Sequence, residues 1–347
     1  MPAVTSNTLV SQYQKYFSKQ LLTYAVQALK FADFAQKATL PRNSGSNTIR
    51  FFRYDAPSTS KIRTLSSGIT DDGTNGQGSQ GTPISSANYR VMSLSPVDVD
   101  LVPYGQVLQL TDFLRATEFF DSLSQAVKIQ GQDAALKADE VIRDAINAGT
   151  VAANTKYSGA AGAWATSFAA LTGGTANKTD FVLRPLNILN AVTQLKIKRS
   201  PQIGGSYIGL VSPQVAVNLM QDPDWLTAAQ YSNVQALYKG ELGSLYGVRF
   251  VEHTNPFIEK AGTEAVYDNS GNQANTTYQT IVTGGESYGM AELAGGSPLS
   301  PQVIITDKPD KADPLNQQTN VGFKAHFAAK VLNSDYFVCI KSKTTYS

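Results

Sequence analysis

The longest strict alternation of apolar and polar positions runs from Val321 to Val331. Val321, Phe323, Ala325, Phe327, Ala329 and Val331 alternate with Gly322, Lys324, His326, Ala328 and Lys330. A period of two predicts a strand with one buried face. Asn333 and Ser334 predict a turn into Tyr336–Ile340, so that the chain ends in a strand pair. A helical period dominates elsewhere. Phe119, Leu123, Val127, Ala134, Ala138, Val141 and Ala145 predict a helix from Thr117 to Gly149, about 45 Å long at ~1.5 Å per residue. Thr117 is its expected cap, with Glu118 and Asp121 in the first turn, and Gly149 its stop. Gly131 inside it predicts a bend or a close approach.

Leu9, Tyr13, Phe17, Leu21, Tyr24, Ala28 and Phe31 recur at spacings of three or four, which predicts a first helix that Pro41 ends after Leu40. Nothing nearby is an obvious partner for its aromatics. Packing on a neighbouring chain and packing on its own domain both remain open. Thr48–Asp55 predicts a strand, and so does the stretch around Val97, Val99 and Leu101. Between them, residues 56–86 are rich in Ser, Thr, Gly, Asp and Gln, which predicts a long protruding hairpin. Val151–Thr179 reads as a linker. Helices are expected at Leu186–Lys198 and after Ser212-Pro213, and strands at Tyr207–Val211, Val248–Glu252 and Tyr278–Thr283.

Composition narrows the chemistry. The chain has 347 residues, of which 16% are charged, and 29 basic against 27 acidic side chains leave +2. A near-neutral balance argues against a protein built to wrap phosphate backbone. A scarcity of charge fits a surface that partly meets protein instead of water. One cysteine, Cys339, and two histidines, His253 and His326, allow no intrachain disulfide and no cysteine zinc cluster. No apolar run spans a membrane and no signal peptide opens the chain, so a soluble, cytoplasm-made protein is expected.

Each catalytic motif fails in context. Gly76–Gly81 matches G-x-G-x-x-G but follows a polar run and leads into Thr82 and Pro83, not into a helix. Gly285-Glu-Ser-Tyr-Gly289 matches G-x-S-x-G, with Asp307, Asp310 or Asp313 and then His326 in hydrolase order. Gly295 and Gly296 cut short the helix that a nucleophile elbow needs, and Lys324 and Lys330 flank His326. A tight turn is the expectation there. Asp98 and Asp100 share a strand face without calcium-loop spacing. Asn177 and Asn275 begin glycosylation sequons on a chain that nothing routes to secretion. Lys196, Lys198 and Arg199 read as a solvated helix end, with weak contact to nucleic acid as the alternative. His253 reads as a strand-end histidine. No catalytic, cofactor or metal site is expected.

The order of elements, arm, polar hairpin, long helix, mixed middle and return strands, resembles the major capsid proteins of tailed bacteriophages, with the Hong Kong 97-type α+β fold. Local phrases resemble the coliphage N-four-like branch: Thr48–Asp55, Ile69–Gly73, Tyr104–Asp112, Ile208–Pro213, Gly240–Glu252 and Asp313–Gln317. The resemblance implies an N-arm at 1–45 and an E-loop at 46–110. It implies a P-domain at 111–179 with its spine helix at about 117–149, an A-domain at 180–300, and a return to the P-domain at 301–347. It also implies a non-enzymatic subunit that self-assembles as pentamers and hexamers into an icosahedral head around double-stranded DNA. The DNA would be touched weakly and without sequence preference, and assembly would take place in the host cytoplasm. No long scaffold-like extension precedes the E-loop, so a separate scaffolding protein is expected, with a portal and a decoration protein as further partners. Residues expected at intersubunit contacts are Phe51, Arg53, Tyr54, Lys61 and Arg63 in the E-loop, and Tyr13, Phe17 and Tyr24 in the N-arm. They lie on segments with no intrachain core of their own. An encapsulin-type compartment shell and a Ser287-based hydrolase are the alternative readings.

Overall fold

The computed structural model describes residues 30–54, 94–117, 121–159, 162–165, 181–225, 243–260, 276–294, 301–306, 309 and 313–344. In chain order the first strands are β1 (Gln36–Leu40), β2 (Thr48–Tyr54), β3 (Leu94–Asp100) and β4 (Val102–Thr111). Helices α1 (Asp112–Thr117) and α2 (Ser122–Ala148) follow, then β5 (Thr155–Ser158), β6 (Trp164–Ala165) and α3 (Pro185–Ile197). Next come β7 (Tyr207–Val211), α4 (Pro213–Gln221), β8 (Ser244–Leu245), β9 (Val248–Glu252) and β10 (Ile258–Lys260). The chain closes with β11 (Thr276–Thr283), β12 (Tyr288–Leu293), β13 (Gln302–Thr306), β14 (Gln318–Val331) and β15 (Phe337–Ser342).

The chain divides into two compact units. Arg50–Val99 forms one, and Met1–Ile49 with Asp100–Ser347 the other. In the larger unit, β14 organises a five-stranded sheet. β4 runs antiparallel along one edge of it, from Thr111 opposite Gln318 to Val102 opposite Phe327. β13 and β12 share the other edge, at 320–324 and 327–331, and β1 adds in parallel beyond β12. A second, eight-stranded sheet has the order β6-β5-β15-β11-β7-β9-β8, with β10 beside β11.

Three apolar clusters follow from these layers. Leu110, Val303, Val321 and Phe323 of the five-stranded sheet pack on Ala126, Val127 and Ala134 in the first half of α2. The second half of α2, through Ala138, Ile142 and Ile146, packs with residues of both sheets: Ala325 and Phe327 of β14, Tyr288 and Met290 of β12, and Ile208, Leu210, Ile281 and Phe337 of the other sheet. The opposite face of the eight-stranded sheet receives Ile188, Ala191, Val192 and Leu195 of α3 and Val215 and Leu219 of α4. Tyr207–Val211 is buried at every position because both of its faces are covered, which is why it reads as an apolar run without alternation.

Several local expectations change. α2 starts at Ser122, and its cap is Asp121, whose carboxylate accepts from the Ser124 backbone N–H. Thr117 instead ends α1, its hydroxyl donating back to the Phe113 carbonyl. The buried face turns toward Ile142 and Ile146, with Val141 and Ala145 only half-buried, because two sheets compete for the second half of the helix. Gln36–Leu40 is a strand, not the end of a helix, and Phe31 sits in a 3-10 turn, Phe31–Asp33. Val151–Thr179 contributes β5 and β6 to the eight-stranded sheet instead of being only a linker. β14 and β15 do not pair. Both edges of β14 are already taken, so the chain turns at Asn333 and β15 joins β11 and β5 in the other sheet. Ser212 precedes Pro213 at the start of α4, yet its buried hydroxyl makes no cap bond. β12 lies in the five-stranded sheet and β15 in the eight-stranded one.

Gly149 ends α2 for a different reason from the expected one. Its φ is −84°, an ordinary value, but an added Cβ would lie 2.3 Å from Cγ2 of Val331. Gly149→Ala should therefore cost about 1–3 kcal/mol in chemical denaturation. Val331→Ala added to it should recover part of that loss, and strictly additive costs would remove the steric explanation. Asp121→Ala should cost about 1 kcal/mol, whereas Thr117→Ala should fall within about 0.5 kcal/mol of the parent.

Candidate assembly surfaces

The hydrolase constellation is taken apart by β14. Ser287 lies in the turn between β11 and β12, with Glu286 at φ 59°. The Leu332 and Asn333 N–H groups donate to the Ser287 carbonyl, which places this turn at the C-terminal end of β14. Asp313 accepts from the Gln318 N–H at the other end. His326 sits between, opposite Pro103. At ~3.3 Å per residue the two ends lie roughly 20 and 26 Å from His326. The Ser287 hydroxyl is buried, 2.5 Å from the Thr283 hydroxyl, and donates to the Gly284 carbonyl. Strand β12 follows it, not a helix. Burial, then Lys324 and Arg42, hold His326 below the usual imidazole range. This is a packed turn beside a strand. Gly76–Gly81, Asp307, Asp310, Asn177 and Asn275 lie outside the described residues.

Of the expected contact residues, the structure describes those on β2. Phe51 is half-buried and Arg53 exposed, and the backbone of Tyr54 ends the strand. Lys61, Arg63, Tyr13, Phe17 and Tyr24 lie outside the described residues. β2 and β3 form a two-stranded sheet of their own. The Arg50 guanidinium grips the Asp98 carboxylate with two bonds, of 2.6 and 2.8 Å, and Thr48 donates to Asp100. The pairs 48/100 and 50/98 run in opposite directions along the chain, as in an antiparallel hairpin. Asp98 and Asp100 are thereby committed to cross-strand partners. Among the described residues no group of three or more His, Cys, Asp or Glu side chains is placed to hold a metal ion.

The larger unit carries apolar side chains in the open. On the five-stranded sheet, Val107, Gly322 and Ile304 align in register across β4, β14 and β13, and Val107 is 70% exposed. The opposite side of that sheet is the one packed by α2. At the α1 end of β4, Phe113 and Leu315 are 75% and 76% exposed. The Asp112 N–H bonded to the Gln317 carbonyl ties their two segments together. Ile129 and Leu136 lie one heptad apart on the outward stripe of α2. The basic group Lys196, Lys198 and Arg199 is exposed at the C-terminus of α3, with Lys198 3.1 Å from Asp335. Arg199 takes φ 56° where the helix closes, the Ser200 N–H reaching back to Leu195 and the Arg199 N–H to Lys196. That closure normally favours glycine.

One cluster has no counterpart among the sequence expectations. Asp139 of α2 is buried and accepts from the backbone N–H groups of Lys30 and Phe31. The Tyr288 hydroxyl donates to the Phe31 carbonyl at 2.8 Å. The His253 ring meets the Phe31 ring edge-on at 4.8 Å between centroids. A charged residue in phase with Ala135, Ala138, Ile142 and Ile146 was the available sign.

Comparison with known proteins agrees with this architecture. The chain is similar to the capsid of the cyanophage P-SCSP1u, at 14% identity and a TM-score of 0.61, over 92% of this chain and 89% of that one. It is similar to the capsid of Ralstonia phage GP4, at 14% identity and a TM-score of 0.62, over 90% and 87%. The holo-SrpI encapsulin of Synechococcus elongatus PCC 7942 is more remote, at 8% identity and a TM-score of 0.50, over 91% and 87%. No curated protein sequence gives a significant match. The fold is therefore the Hong Kong 97-type capsid fold. A phage capsid protein model matches residues 95–341, from within β3 into β15, and the chain belongs to that family.

Proposed function

We propose that this chain is the major capsid protein whose copies build an icosahedral head as pentamers and hexamers around a double-stranded DNA genome. The family match over residues 95–341 is the observation that carries the reading. The exposed apolar side chains on the larger unit and the separate unit at Arg50–Val99 support it. Closed symmetric assembly through many modest interfaces is the mechanism, and no catalysis is involved. A separate scaffolding protein, a portal and a decoration protein are the further partners, and assembly takes place in the host cytoplasm. Contact with DNA is weak and unspecific, in keeping with a net charge of +2. The domain division, N-arm at 1–45, E-loop at 46–110, P-domain at 111–179 and from 301, A-domain at 180–300, and the affinity to the coliphage N-four-like branch belong to the same reading.

The residues taken to bridge subunits are Phe51, Arg53, Tyr54, Lys61, Arg63, Tyr13, Phe17 and Tyr24. Deleting Ser66–Gly81 should leave a folded subunit with its parental denaturation midpoint, yet few or no closed particles in negative-stain micrographs. Normal shells from that deletion would sink the assembly role of this segment. Phe51→Ala with Arg53→Glu should lower the yield of particles severalfold at unchanged subunit stability.

The likeness to an encapsulin supports a second reading, a cellular compartment shell. Nuclease-protected DNA inside purified particles is expected on the first reading. A co-purifying cargo enzyme and no protected DNA would favour the second.

A further inference from the structure

We propose that the turn Phe31–Asp33 is a latch that opens and closes as a unit, fastening the N-terminal segment to α2, with Asp139 as its socket and His253 as its cover. It stands on geometry internal to the larger unit and does not depend on shell assembly. Phe31 and Ala32 are 0% exposed, whereas Lys30 before them and Gln36 and Lys37 after them are exposed. The turn is therefore a buried plug between exposed flanks. Its polar attachments are few: Asp139 receives the Lys30 and Phe31 N–H groups at 3.2 and 3.1 Å, and Tyr288 holds the Phe31 carbonyl. The strand after it, β1, is five residues long and among the described residues is paired on one side only, to β12. Withdrawing the turn with β1 breaks those bonds. It leaves β4, β12 and β13 paired to β14, and β15 to β11. Phe31 and Ala32 also belong to the apolar cluster of α2 and both sheets, so opening costs that burial as well as these bonds, and on this proposal the sum stays below the free energy of global unfolding.

The charged and titratable groups around the plug give the latch an unusual proton balance. Asp139 faces Arg143 on its own helix and Asp33 on the turn, and Tyr288 stands across from it on β12. His253 faces Arg143, which reaches over to Asn255. Burial pushes the Asp139 carboxyl up to about 6 against the two N–H groups and Arg143. Burial, with Arg143, pushes His253 down to about 4. Burial keeps Tyr288 and Cys339 neutral throughout this range.

The signs oppose each other. A carboxyl raised by burial favours the closed latch as pH falls through 6 toward its ordinary value of 3.8. A histidine lowered by burial favours the open latch as pH falls from its ordinary 6.5 toward 4. Over the shared window the closed latch carries its proton on Asp139 and the open latch carries it on His253. The proton count is then the same in both states, so the latch holds with the same strength from neutral to mildly acidic conditions.

Hydrogen exchange on the full-length chain, read by mass spectrometry and corrected for the intrinsic pH dependence, tests this. Peptides covering residues 31–33 should exchange at lower protection than those of β14 and β15, with protection level between pH 7 and 4.5. Asp139→Asn keeps the acceptor but holds no charge. Its latch should lose roughly fiftyfold protection between pH 7 and 4.5, since one pKa unit is a factor of ten and His253 is lowered from 6.5 to about 4. His253→Gln should gain roughly twentyfold over the same range, since Asp139 is raised from 3.8 to about 6, and the double variant should be level again. Asp139→Leu should speed exchange of the turn at every pH and leave β15 unchanged. Exchange of the turn only together with β14 and β15 would overturn the latch. Both single variants following the parent profile would overturn its proton balance.

Discussion

Strand β14 sets the terms for the larger unit, because both of its edges and one of its faces are used. β4 lies along one edge for ten residues, and β13 and β12 divide the other between them. Val321, Phe323, Ala325 and Phe327 give it a buried face, and α2 lies against that face. A shift of its register by one residue would turn these four side chains outward and Lys324 and Lys330 inward. The alternation therefore fixes at once the placement of β4, the seat of α2 and the distance between Ser287 and His326. It also explains why β15 must leave for the second sheet.

What the sequence disclosed and what it hid divide along physical lines. Signals carried by neighbouring residues were legible: the alternation of β14, the apolar run of β7 and the proline opening α4. The failures have long-range causes. Gln36–Leu40 reads as the tail of a helix until β12, far along the chain, offers it an edge. Gly149 reads as a left-handed stop until Val331 arrives to occupy the space of its missing side chain. Asp139 reads as one more polar position on a helix, and only the arriving Lys30 and Phe31 amides make it an interior residue. The Ser287 hydrolase reading failed on context in the sequence, and the packed Ser287 turn supplies the local reason against it. Of the contact residues, those at 13, 17, 24, 61 and 63 lie beyond the described structure, so their roles rest on placement in the chain alone.

The capsid fold also explains the sparse charge noted in the sequence. A monomer that shows Val107, Phe113 and Leu315 to water would be poorly soluble at high concentration. Copies that cover one another's surfaces need fewer charges per residue. Some of the charges meet a partner within the subunit, as in Arg50 with Asp98 and Lys341 with Glu259. Exposed pairs such as Arg50 with Asp98 add little stability.

The parallel pairing of β1 with β12 has a consequence for the ribosome. Gln36 finds its partner Gly289 only after most of the chain has been made. At ~5–20 residues per second, the interval between the two is roughly 10–50 s. During that time the beginning of the chain has emerged but has no edge to join, while α2 already exists to offer Asp139. A newborn subunit therefore passes through a stage with a helix and an unfastened front end, and with Phe31 not yet housed. Docking of the first strand reports that translation has passed residue 293, while β13 and β14 of the same sheet are still to be made.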